Sequence, residues 1–231
     1  MTSPAAGGRD DAAGVSATAT PAKPALRGVS HLVAFGVALV AGPWLVVQGA
    51  TTTARLSAGV YAVGLAALFG CSALFHCGTW SGRGHQRLRL LDRSSVFLFV
   101  AGTFTPLSAL AFGPGAARVV IVPIWVGAVA GIAITCGWAD APPRAAAAPP
   151  IVVGAAALLA TVMAAATHSP GRSALLGGGT VLYALGGVTF ARKRPDPVPQ
   201  IFGYHEVFHA LVIVAAICHY VLILELVQRA T

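Results

Sequence analysis

Seven long runs of apolar residues, separated by short polar segments, follow the first 27 residues of the chain. Each run approaches the roughly 20 residues with which an α-helix crosses the hydrocarbon core of a bilayer. The pattern therefore predicts an all-α, polytopic integral membrane protein with seven transmembrane helices. The predicted spans cover residues 29–49, 56–76, 93–112, 117–138, 150–167, 173–191 and 205–227.

The first 27 residues lack this pattern. They are mostly Ala, Gly, Pro, Ser and Thr, and they contain neither the basic start nor the apolar core of a signal peptide. We predict a disordered tail at 1–27. Because seven spans use about 140 residues, we expect 28–231 to form one seven-helix membrane domain, with no second, soluble domain.

The composition limits the possible functions. Hydrophobic residues make up 56% of the chain and charged residues 10%, against about 45–50% and about 25% in soluble proteins. A soluble enzyme is therefore excluded. A net charge of +8 could suggest nucleic-acid binding, but the short loops of membrane proteins concentrate Lys and Arg for topological reasons. We expect membrane lipid as the partner, no nucleic acid, and no obligate protein partner.

The distribution of basic residues predicts the orientation. With seven spans, the tail shares one side of the membrane with the loops after spans two, four and six. That side carries eleven of the 15 Lys and Arg residues, and the other side carries four. Since cytoplasmic loops are enriched in Lys and Arg, the N-terminus is predicted to lie in the cytoplasm and the C-terminus outside.

Ionisable residues inside membrane spans are candidates for function because they are costly to place there. His205 and His209 are four residues apart at the start of span seven, so they share one helix face and can bind one metal ion. Ser72 and His76 have the same spacing near the end of span two, and Asp92 directly precedes span three. The predicted topology places all five residues at the cytoplasmic face.

These residues suggest a metal centre. Three imidazoles, from His76, His205 and His209, would leave an open position on the ion, as in catalytic zinc sites. Zinc would convert a bound water into a nucleophile at neutral pH. Asp92 would hold that water as a base or complete the coordination, and Ser72 would orient a substrate carbonyl or a ligand histidine.

The residues alone leave simpler interpretations open. The histidines could be hydrogen-bonded to neighbouring helices, and Asp92 could pair with Arg89 or Arg93 at the interface. His31 begins span one on the same side and could line the site. His219 lies about 21 Å beyond His205 along a helix, which is too far to bind the same ion.

Five segments of the chain resemble the haemolysin III family of bacteria, a branch of the superfamily that includes the progestin and adiponectin receptors. They occur in the family's order, and the resemblance extends over residues 24–228. The segments are 26–31, 72–76, 91–92, 101–106 and 205–209.

The resemblance implies a seven-helix bundle in a bacterial plasma membrane, with the N-terminus in the cytoplasm. It also implies zinc on His76, His205 and His209, with Asp92 beside a zinc-bound water and Ser72 in the same cluster. Bacterial members are associated with membrane-lipid homeostasis and some with cytolysis, and the superfamily is linked to the hydrolysis of lipid amides, above all ceramide.

We therefore expect a zinc-binding membrane protein of haemolysin III type, acting as a lipid amide hydrolase. One alternative is an intramembrane metalloprotease that uses the H-E-x-x-H motif with Glu206 as base. Another is a non-enzymatic sensor or pore-forming cytolysin with structural zinc. A retinal-binding pump is excluded because both lysines, Lys23 and Lys193, lie outside the spans.

Overall fold

The described part of the chain folds into long apolar helices. The computed structural model describes residues 23–138 and 169–230, and in this part of the chain every regular element is an α-helix that is long and apolar enough to cross a membrane. For the described residues, the prediction of an all-α protein with several helices able to cross a membrane is thereby confirmed. The helices are α1 (Val29–Val47), α2 (Thr52–Cys77), α3 (Gly82–Ala111), α4 (Pro114–Gly137), α5 (Pro170–Arg192) and α6 (Tyr204–Arg229).

These six helices correspond to predicted spans one to four, six and seven. The predicted span at 150–167 and residues 1–22 of the predicted tail lie outside the described residues. The largest difference is in α3, which begins at Gly82, eleven residues before the predicted start at 93. Hydropathy marks where the chain leaves the hydrocarbon, whereas the helix continues into the polar interface through Arg, Gln and Leu, which favour helix.

Helix α6 lies against the largest number of other helices. The helices α1 to α4 pack in chain order, each on the next, while α6 packs on α5 and also contacts α1, α2 and α3. Core side chains such as Tyr61, Phe97 and Leu222 are fully buried. Apolar side chains such as Val33 and Val40 are exposed on the outside, where a bilayer would cover them.

Helices α2 and α3 approach closely where two glycines meet. A Cβ atom at Gly102 would lie 3.1 Å from the carbonyl oxygen of Val60, and one at Gly64 would lie 3.2 Å from that of Leu98. Small residues allow such backbone contact between helices in lipid. The crossing therefore sets the relative position of the two helices that carry Ser72, His76 and Asp92.

We predict that Gly102→Val lowers the free energy of unfolding by about 1–3 kcal/mol, because the added side chain has to displace the α2 backbone. Thermal unfolding of detergent-purified protein measures this loss. Gly36→Val in α1 is the matched control, since a Cβ atom there would meet no atom within 4 Å. Equal destabilisation by both substitutions would contradict the close crossing.

Candidate metal centre

Three histidines meet at one end of the bundle. His76 lies in the last turn of α2, and His205 and His209 lie in the first two turns of α6. The Nε2 atoms of His76 and His205 are 3.2 Å apart. One ring nitrogen from each of the three residues lies within 4.8 Å of the others. The packing of α2 on α6 thus brings together the three ligands that the sequence predicts.

The three imidazoles fit a metal ion. Two nitrogen ligands of a tetrahedral zinc, each about 2.0–2.1 Å from the ion, are separated by about 3.3 Å, which is close to the distance between His76 and His205. His205 and His209 are buried, and His209 Nδ1 has no hydrogen-bond partner within the described structure. A buried polar atom without a partner is costly, and a bound cation would satisfy a nitrogen of this group.

Asp92 lies beside the histidines. Its Oδ2 atom is 3.8 Å from His76 Nε2, and its side chain is 23% exposed. The distance exceeds that of a hydrogen bond, so the carboxylate is adjacent to His76 without binding to it. The Ser72 side chain lies near the same carboxylate. Asp92 lies within α3, well after the helix has begun.

His31 belongs to the same cluster, although the sequence indicated it only as a residue that could line the site. Its Nδ1 atom is 2.8 Å from Ser72 Oγ. Its ring is stacked on that of His209, with centroids 3.7 Å apart and planes 12° from parallel. The sequence signals were its position at the start of span one, on the side predicted for the site, and its place in segment 26–31, one of those that carry the family resemblance.

A family profile described as "Haemolysin-III related" matches residues 19–220. The chain belongs to the haemolysin-III related family. The match includes α1 to α5, the first two-thirds of α6 and every residue of the histidine cluster. The resemblance that the five sequence segments indicated is thereby confirmed.

The acidic residue of the H-E-x-x-H motif has a structural role in this haemolysin-III related protein. Glu206 is 2% exposed. Its Oε1 atom is 2.5 Å from Arg27 Nε, and its Oε2 atom accepts a hydrogen bond of 2.8 Å from the backbone N–H of Gly203, as in a capping box. Because both oxygens are bonded away from the histidines, Glu206 is poorly placed to act as the base of a metalloprotease.

The residues just before α1 pack beside the histidine cluster of this family member. In the segment 23–28, the backbone amides of Ala25 and Leu26 donate to backbone carbonyls in the loop before α6. Gly28 has a φ of 85°, a conformation that favours glycine, and a Cβ atom there would lie 2.6 Å from the Cβ atom of His76. Residues 23–27, assigned to the tail from their composition, thus make defined contacts.

The other buried histidine lies apart from the site. His219 Nε2 is 3.2 Å from the carbonyl oxygen of Leu176, and its ring packs on that of Tyr183. This agrees with the expectation that His219 is too far from His205 to bind the same ion. Near the C-terminal end of α6, Glu225 is 3.4 Å from Arg172 and its side chain is 40% exposed.

We predict that Arg27→Met lowers the free energy of unfolding by about 3–5 kcal/mol, because it leaves the Glu206 carboxylate buried without a cation. The double variant Arg27→Met/Glu206→Gln should recover part of this loss. Thermal unfolding in detergent measures both. The matched control is Arg172→Met, whose partner Glu225 has a side chain that is 40% exposed and stays hydrated, so the loss should be less than about 1 kcal/mol. A loss at Arg27 no larger than that at Arg172 would contradict the role of the buried pair.

Proposed function

We propose that this protein uses zinc to hydrolyse an amide bond of a membrane lipid. The observation that carries the proposal is the meeting of three imidazoles, from His76, His205 and His209, at one end of a bundle of membrane-spanning helices. Zinc bound there would supply a Lewis acid and a nucleophile at neutral pH. The lining of the site by histidines suits zinc, although imidazole also binds copper, iron and nickel.

Asp92 and Ser72 are the proposed catalytic residues. Asp92 accepts a proton from the attacking water and returns it to the leaving amine. Its carboxylate lies 3.8 Å from His76, so it is adjacent to the proposed ligands. The Ser72 hydroxyl, which is buried beside Asp92, donates a hydrogen bond to the substrate carbonyl oxygen.

The depth of the site supports a lipid substrate. Helix α2 has 26 residues, which correspond to about 39 Å, and the hydrocarbon core is about 30 Å thick. His76 is the second-last residue of this helix. A ligand at the end of so long a helix lies near the headgroup region, where the amide bond of a membrane lipid is found.

The proposal includes the topology of the chain in the membrane, that is, the number of spans and the side on which each terminus lies. A seventh span at 150–167 and the eleven-to-four distribution of basic residues support a cytoplasmic N-terminus and an external C-terminus in a bacterial plasma membrane. The centre would then face the cytoplasm and act in membrane-lipid homeostasis.

One observation favours a second candidate, a non-enzymatic sensor with structural zinc. The Asp92 carboxylate is close enough to the histidines that a small shift would make it a fourth protein ligand. Structural zinc sites are closed by four protein ligands, whereas catalytic sites keep one position open. The two candidates therefore differ in turnover and not in metal content.

We predict that the purified protein holds about one zinc per chain and that His205→Ala/His209→Ala removes it, because a single remaining imidazole binds zinc weakly. Elemental analysis of detergent-purified protein measures the content. His219→Ala, which removes a buried histidine outside the cluster, should retain the metal. A folded wild-type protein without stoichiometric metal would refute the proposed centre.

We predict that Asp92→Asn lowers the turnover of a fluorescent ceramide in mixed micelles by about 10²–10⁴-fold, the usual effect of removing a general base. Glu225→Gln, at the opposite end of α6, should leave turnover unchanged. Undiminished turnover in Asp92→Asn would refute its assigned role. Stoichiometric zinc with no turnover by the wild type on any lipid amide would favour the sensor.

A further inference from the structure

We propose that His31 is a positioning residue of the metal centre that holds both the His209 ring and the Ser72 hydroxyl in place. It is a fourth histidine of the cluster, on a third helix, and it is not one of the three candidate ligands. The inference rests on the proposed function, because it concerns the same centre.

The first contact is with a proposed ligand. The other ring nitrogen of a metal-binding histidine usually donates to a carboxylate, carbonyl or water, and that bond fixes the ring. The ring of His209 lies flat against that of His31, with centroids 3.7 Å apart, and meets the rings of His76 and His205 edge-on. Stacking on His31 therefore restrains the orientation of the His209 ring.

The second contact is with a proposed catalytic residue. The hydrogen bond of 2.8 Å joins His31 Nδ1 to Ser72 Oγ, and the Ser72 side chain adjoins the Asp92 carboxylate. A serine hydroxyl rotates freely unless its partners hold it. The bond to His31 therefore restrains the Ser72 hydroxyl beside the centre.

His31 is itself held rigidly. It is the third residue of α1, is 2% exposed and meets Phe69 edge-on. The residues just before it are attached to the start of α6 through the pair between Arg27 and Glu206. The position of His31 relative to His209 is thus set by contacts outside the cluster, which a positioning residue requires.

Two substitutions separate the two contacts. His31→Phe keeps a flat ring against His209 but removes the nitrogen that bonds Ser72. His31→Asn keeps a polar atom near the position of Nδ1 but removes the ring. We would load each full-length variant with Co²⁺, whose visible absorption spectrum reports the geometry of its ligands, and measure Co²⁺ affinity and turnover of the fluorescent ceramide.

For His31→Asn we expect an altered Co²⁺ spectrum and an affinity lower by about ten- to a hundredfold, the usual effect of removing a group that orients a ligand. For His31→Phe we expect a wild-type spectrum and affinity, but turnover lowered about tenfold or more. Ser72→Ala should lower turnover to a similar degree, and His31→Phe/Ser72→Ala should be no slower than Ser72→Ala alone, because both changes remove the same contact.

His219→Phe and His219→Asn are the matched controls, since His219 is also buried, hydrogen-bonded through a ring nitrogen and packed on an aromatic ring. They should leave the spectrum, affinity and turnover unchanged, whatever their effect on thermal unfolding. Wild-type spectra and turnover in both His31 variants would overturn the inference, as would a wild-type spectrum and affinity in His31→Asn or undiminished turnover in His31→Phe. A wild-type protein that binds no Co²⁺ would refute the proposed centre instead, so the two failures are distinguishable.

Discussion

The buried contact between Arg27 and Glu206 is the interaction on which the arrangement of the site depends. Glu206 lies between the two proposed ligands of α6, and its carboxylate joins the residues before α1 to the start of that helix. A carboxylate with 2% exposure next to a bilayer is tolerated only with a charged partner and well-formed hydrogen bonds. The pair thus fixes α1 and α6 relative to each other at the point where the histidines meet.

The rest of the cluster follows from this attachment. Helix α1 contributes His31, α2 contributes Ser72 and His76, α3 contributes Asp92 and α6 contributes the two remaining histidines. Each group lies on a helix, and the close crossing of α2 and α3 at Gly64 and Gly102 holds the middle two helices together. A site built on packed helices keeps its geometry better than one built on loops.

The position of the cluster also follows from the physics of the bilayer. Polar groups deep in hydrocarbon need partners within the protein, and the histidine deep in the bundle, His219, bonds a backbone carbonyl. The residues proposed to act on a substrate lie beside His76 and His205, near the ends of α2 and α6, where water and lipid headgroups are available. The two kinds of buried histidine therefore differ in depth as well as in partners.

Hydropathy alone determined most of the fold. Long apolar runs have one stable arrangement in a bilayer, the helix, so six spans could be located from the sequence, five of them within a few residues at each end. The exception is α3, which begins at Gly82. Hydropathy indicates which residues lie in the hydrocarbon, but the backbone hydrogen bonds of a helix can continue beyond it into the polar interface. The spacing of His205 and His209 placed them on one face for an equally local reason.

Only the tertiary structure decided which distant residues share the site. The spacing of residues along a helix shows which of them share a face, but not which other helix packs on that face. The stacking of His31 on His209 could therefore not be derived from the sequence. The role of Glu206 was hidden for the same reason, because its partner Arg27 lies 179 positions away in the chain. The sequence determined which residues are costly in a membrane, and the packing of α1, α2, α3 and α6 determined what those residues contact.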